Sequence, residues 1–147
     1  MNDQRVPEVL DASVAEVLET MCFAFPEGPL PDGEAPPEGE SVGAAIEFTG
    51  GAKGRFTLTV GREAARGLAC SFLGAEPEEI DEGRSSEVLR EVANMICGSA
   101  LSSLESGQHF DLSEPRAEGR GFTGKGRRFA IENGFLEACF EIETVSG

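Results

Sequence analysis

The sequence contains no tryptophan or tyrosine, a single histidine, and only 12 basic residues against 27 acidic ones in 147. Each shortage removes a class of function. With no Trp or Tyr and a formal net charge of −15, the chain lacks both the stacking platform and the cationic surface that nucleic acid requires. The same charge repels anionic membranes at long range, so the expected partner is another protein. The lone histidine, His109, excludes a paired-histidine metal site and any nucleophile mechanism needing a second imidazole; beside Phe110 it reads as a loop or packing residue. Cys22, Cys70, Cys97 and Cys139 never form a Cys-x-x-Cys pair, which argues against zinc and redox motifs and for small core residues in a reducing compartment. No apolar run is long enough to span a bilayer, and MNDQRVPEVL lacks the basic start and apolar core of a signal peptide, so the cytoplasm is predicted.

The length and a 39% hydrophobic content fit one domain, residues 1–147, with a sizeable core. A first helix is predicted near residues 13–24, where Ser13-x-x-Glu16 matches a capping box and Val14, Val17, Leu18 and Met21 form one stripe; Pro7 offers an earlier start. Residues 26–41 hold five of the eight prolines and little apolar mass, and read as an acidic loop acting as a spacer. From Val42 the apolar period becomes two. Ile46 and Phe48, then Phe56, Leu58 and Val60, flank a TGGAKG turn and predict a β-hairpin with one buried face. Helical spacing returns over residues 62–73, with Gly74 as the stop, and a long helix follows from about 80 or 85 to 106. RRFAIE and FLEACFEIETV flank Asn133-Gly134, a strong hairpin signal, and a further strand is predicted near 116–122. This order predicts an α/β domain of the α+β type, its sheet largely antiparallel and covered by about three helices.

The long helix carries the most informative pattern. At about 100° per residue, Leu89, Val92, Ala93, Ile96, Ala100 and Ser103 share its apolar side, while Glu87, Glu91, Asn94, Gly98 and Ser102 fall opposite. A polar face can simply meet water. A glycine inside a helix, however, costs roughly 1 kcal/mol relative to alanine. Gly98, one turn beyond Asn94, therefore suggests that something approaches this face closely. A faint repeat pairs EVLETMC (16–22) with EVANMIC (91–97), with Glu19 at the place of Asn94.

Two other features carry less. Gly119 to Lys125 matches the first part of a phosphate loop, but Gly126 stands where a magnesium-binding hydroxyl belongs and the segment leads into a strand, not a helix. Arg116, Arg120, Lys125, Arg127 and Arg128 could bind an anion, but on a Gly-rich connection they read as a solvated loop that offsets nearby acids.

The segment from Glu87 through Glu91 and Asn94 to Gly98, followed by Pro115, resembles the signature of the CheC/CheX/FliY phosphatases of bacterial chemotaxis, most of all CheX. That signature is Asp or Ser, three residues, Glu, two residues, Asn, about twenty-two residues, then Pro. The resemblance extends to the glycine after Asn, the AAIEFTGGAKGRFTLTV hairpin, the Ala-rich helix and the length. Glu87 departs from the usual Asp or Ser, and twenty residues separate Asn94 from Pro115. The resemblance implies hydrolysis of the aspartyl phosphate on a CheY-like response-regulator receiver, with Glu91 and Asn94 catalytic and Glu87, Gly98 and Pro115 facing the partner. It further implies no cofactor or metal of the chain's own, magnesium arriving on the receiver, and a homodimer. The alternative is a non-catalytic receiver-binding or scaffold module on the same fold.

Overall fold

Alternation of side chains builds the centre of the sheet. The computed structural model describes residues 5–22, 40–104, 107, 109–118, 127–131 and 134–142. In β1 (Ser41–Gly50) Ala44, Ile46 and Phe48 enter the core, as do Phe56, Leu58 and Val60 of β2 (Gly54–Gly61) and Leu136 and Ala138 of β6 (Gly134–Ile142). Antiparallel register aligns them in rows: Val60 between Val42 and Leu136, Leu58 between Ala44 and Ala138, Phe56 between Ile46 and Phe140. Each fully buried Val, Leu, Ile or Phe side chain among them contributes about 1.5–3 kcal/mol.

β3 (Phe110–Leu112) and β4 (Arg116–Glu118) both pair with β1, at opposite ends, and β5 (Arg127–Ile131) pairs with β6. Among the described residues the sheet therefore has six antiparallel strands in the order β3-β1-β2-β6-β5, with β4 sharing the β1 edge. β3 was not foreseen. It is held by long-range contact: the Phe110 ring meets Phe48 edge-on at 6.1 Å, next to Phe48–Phe140 at 5.7 Å.

The helices α1 (Val6–Met21), α2 (Arg62–Leu73) and α3 (Glu82–Leu104) pack with the apolar side of the sheet into one core. This is the expected α+β layout. α2 has the predicted bounds, and Gly74 closes it with φ +65, the left-handed conformation glycine adopts without penalty. α1 starts earlier than the capping-box pattern suggested. Ser13 is not a cap but lies buried mid-helix, and the chain turns helical around Pro7, whose fixed φ suits a first turn. Arg5 donates to the Ser103 carbonyl oxygen at 3.1 Å, tying the start of α1 to the end of α3.

The basic segment also differs from expectation. Arg127 and Arg128 belong to a strand; Arg127 forks onto Asp11 of α1 at 2.9 and 2.8 Å, and Arg128 is buried. Arg116 does offset an acid, Glu47, at 3.1 Å. His109 is exposed beside Asp111, a loop residue and not a packing one. All four cysteines are free; Cys22, Cys97 and Cys139 are buried, and burial pushes the Cys22 thiol up to about 11 and that of Cys97 to about 12. No helix of the described residues is long and apolar enough to cross a membrane. Most of the acidic 26–41 segment, the GRGFTGK sequence and Asn133 lie outside the described residues.

Candidate functional site

α3 begins at a cap that sequence reading overlooked: the Asp81 carboxylate accepts from the Arg84 backbone N–H at 2.7 Å. From there Val88, Leu89, Val92, Ala93, Ile96, Ala100, Leu101 and Leu104 recur at three- and four-residue intervals and are buried. Packing of α3 against the sheet, α1 and α2 takes up that stripe. What remains outside is the expected polar face: Glu87, Glu91, Asn94 and Ser102 are exposed and Gly98 is half-buried. Ser103, assigned to the apolar side, is exposed instead. The row from Glu87 to Gly98 runs about 16 Å along the helix, at 1.5 Å per residue.

The members of this row differ in their bonding. Glu87 is held by Arg84 at 3.1 Å, a half-exposed pair worth at most a few tenths of a kcal/mol. Among the described residues, Glu91 and the Asn94 carboxamide make no hydrogen bond or ion pair. A carboxylate and an amide presented without partners on a rigid helix are available to another molecule. Gly98 has open space around it: a Cβ built there meets nothing within 4 Å. No contact among the described residues requires the glycine. Gly98→Ala is therefore expected to stabilise α3 by about 1 kcal/mol, raising Tm by about 3–4 °C. Thermal unfolding checks this, and a lowered Tm would mean that the chain itself crowds the position.

Glu87, Glu91 and Pro115 meet in one cleft of about 460 Å³, joined by Arg84, Val88, Arg90 and Glu114 and by Phe72 and Leu73 from the end of α2. Asn94 and Gly98 are not in its lining; they continue the same face one and two turns beyond Glu91. Sequence reasoning missed Arg84, Arg90 and Phe72. For Arg90 a signal existed, since it precedes Glu91 and stands one turn before Asn94. A larger cleft of about 600 Å³ lies near the starts of α2 and α3 and holds none of the expected residues. Its arginines are engaged locally, Arg62 with Glu40 and Glu82, Arg66 with the Pro77 carbonyl oxygen. Among the described residues no three His, Cys, Asp or Glu side chains gather as a metal site.

A family model described as the chemotaxis phosphatase CheX matches residues 42–119, just over half of the chain and all of the α3 row. The chain belongs to the CheX family. CheX from Vibrio vulnificus is 26% identical, with a TM-score of 0.71 over 96% of this chain and 100% of the Vibrio one. A CheC-like superfamily protein from Shewanella sp. PV-4 is also 26% identical, with a TM-score of 0.66 over 96% and 99%. The fold is shared with the CheX of a CheX–CheY complex from Borrelia burgdorferi, solved with BeF3 and Mg2+, at 18% identity, a TM-score of 0.65, and coverage of 93% and 97%. No curated relative matches the sequence. The CheX relationship agrees with the resemblance carried by the Glu87 to Pro115 segment, and the antiparallel sheet covered by helices agrees with the fold that the order of elements predicted.

Proposed function

We propose that the chain hydrolyses the aspartyl phosphate of a CheY-like receiver domain in the cytoplasm. The observation that carries this reading is the pair Glu91 and Asn94, without partners among the described residues, on the outward face of α3 in a chain of the CheX family. The Borrelia relative in complex with CheY, BeF3 and magnesium supports the choice of partner.

An acyl phosphate is already activated, so the catalyst has to place water in line with phosphorus and steady the transferred charge. The Asn94 carboxamide can donate to one oxygen and accept from another, which suits it to orient that water. As the water oxygen bonds to phosphorus, the bond from phosphorus to the acyl oxygen breaks. The receiver regains its aspartate carboxylate, and inorganic phosphate leaves with the water-derived oxygen and one of the water's protons, the other passing to solvent. Glu91, an anion, would repel the phosphoryl group itself; its role is an ion pair with the receiver's active-site lysine. Glu87 and Pro115 flank that contact, and Gly98 lets the receiver's loops come close. Magnesium enters with the receiver, a reading supported by the Borrelia CheX–CheY complex, which was solved with Mg2+. The same reading includes a homodimer joined through sheet edges, for which sedimentation is the check.

The test is phosphate release from a panel of phosphorylated receivers of the same genome, with the chain substoichiometric and magnesium present. Repeated turnover on at least one receiver supports the enzyme; binding without turnover makes the chain a scaffold. Gly98→Leu should leave the fold intact and weaken receiver binding at least tenfold, measured by calorimetry, and unchanged affinity would remove the close-approach argument.

A further inference from the structure

With 27 acidic residues to 12 basic ones, an arginine on this chain readily finds a carboxylate. Arg62, Arg84, Arg116 and Arg127 each pair with one. Arg90 does not. Among the described residues its only hydrogen bond runs from Nε to the Ser86 carbonyl oxygen, at a long 3.4 Å, and it meets no acid. Half-buried, it lines the cleft that holds Glu91 and Pro115. On the helix it is the residue before Glu91 and the i−4 neighbour of Asn94, which puts the Arg90 and Asn94 Cβ atoms about 5–6 Å apart.

This leaves cation, amide and anion side by side on one wet face. A phosphorylated receiver offers the complementary set, an anionic phosphoryl group next to a cationic lysine. Glu91 suits the lysine, and a guanidinium with its terminal nitrogens free suits the phosphoryl oxygens, which it can grip at two points. An overall charge of −15 opposes the approach of a phosphate, so a local cation at the point of contact has an electrostatic task that no other residue of the row can perform. We infer that Arg90 binds the phosphoryl oxygens of the incoming aspartyl phosphate and so makes docking depend on phosphorylation. The inference rests on the phosphatase reading. Arg90 takes no part in proton transfer; it holds charge that grows on the phosphoryl oxygens as the acyl bond breaks.

The experiment compares the wild-type chain with Arg90→Gln and Arg90→Lys. Calorimetry measures affinity for the magnesium-loaded receiver with and without beryllofluoride, and phosphate release gives kcat and KM. The wild type should prefer the beryllofluoride form. Arg90→Gln should lose about 10–100-fold of that preference, the range of a charged hydrogen bond, with affinity for the unmodified receiver unchanged and kcat lowered as well. Arg90→Lys should recover part of both, being a cation without the planar fork. If Arg90→Gln keeps the wild-type preference, or weakens both forms equally, the inference is overturned; equal loss would mean that Arg90 meets a receiver carboxylate. A wild-type chain that neither binds nor hydrolyses defeats the phosphatase reading, and this inference with it, whereas an active wild type with an indifferent Arg90→Gln defeats the inference alone.

Discussion

Asn94→Ala is expected to reduce catalysed dephosphorylation by about two to four powers of ten, the range of a positioned polar group that acts in the transition state. That is about 3–5 kcal/mol on the barrier. Receiver affinity should change little, because the water the amide orients is held chiefly as the bond to phosphorus forms, so kcat falls and KM stays. The variant also has a built-in control. Asn94 is exposed and without a hydrogen-bond partner among the described residues, and alanine is the better helix former, so the fold should become slightly more stable. A loss of activity together with an unchanged or raised Tm cannot be unfolding. Full activity in a folded Asn94→Ala chain would remove the amide from the mechanism.

Reversing the charge of Glu91 should fail in a different way. Glu91→Ala deletes one half of an intermolecular ion pair and is expected to weaken receiver binding about tenfold; Glu91→Lys sets a cation against the receiver's lysine, next to Arg90, and should cost about a hundredfold. Both losses should shrink between 0.05 and roughly 0.5 M salt, where screening shortens the reach of exposed charges to a few ångströms. Neither change threatens the fold, since Glu91 is exposed opposite the buried stripe of α3. Affinity measured across a salt series is the check. An affinity insensitive to the substitution would take Glu91 out of the contact.

The elements legible in the sequence are those whose signals are local. Period-two alternation marked β1 and β2, and helical spacing closed by Gly74 gave α2 its bounds. The outward face of α3 was legible for the same reason: burial of one stripe at 3.6-residue spacing dictates what lies opposite. Misreadings arose where distant contacts decide. Ser13-x-x-Glu16 has the form of a cap, but packing of α1 puts Ser13 in the core. Phe110–Leu112 is too short to announce a strand, and forms because Phe48 receives the Phe110 ring. Arg127 looked like part of a solvated loop because Asp11, its partner, is more than a hundred residues away. The site divides likewise. Glu91 and Asn94 were found from spacing on one helix, whereas the cleft that adds Phe72 and sets Arg90 beside Pro115 joins α2, α3 and the chain before β4.

Water oriented on the α3 face is expected to attack the phosphorus of a receiver's aspartyl phosphate. Dephosphorylation of the responsive receiver in water enriched in oxygen-18, with and without a catalytic amount of the chain, tests it most directly. The expected result is faster phosphate release with the chain present, one heavy oxygen in each phosphate released, none in the receiver's aspartate, and no phosphate left on the chain. Unaccelerated release, heavy oxygen in the aspartate carboxylate, or a phosphorylated form of this chain would contradict it.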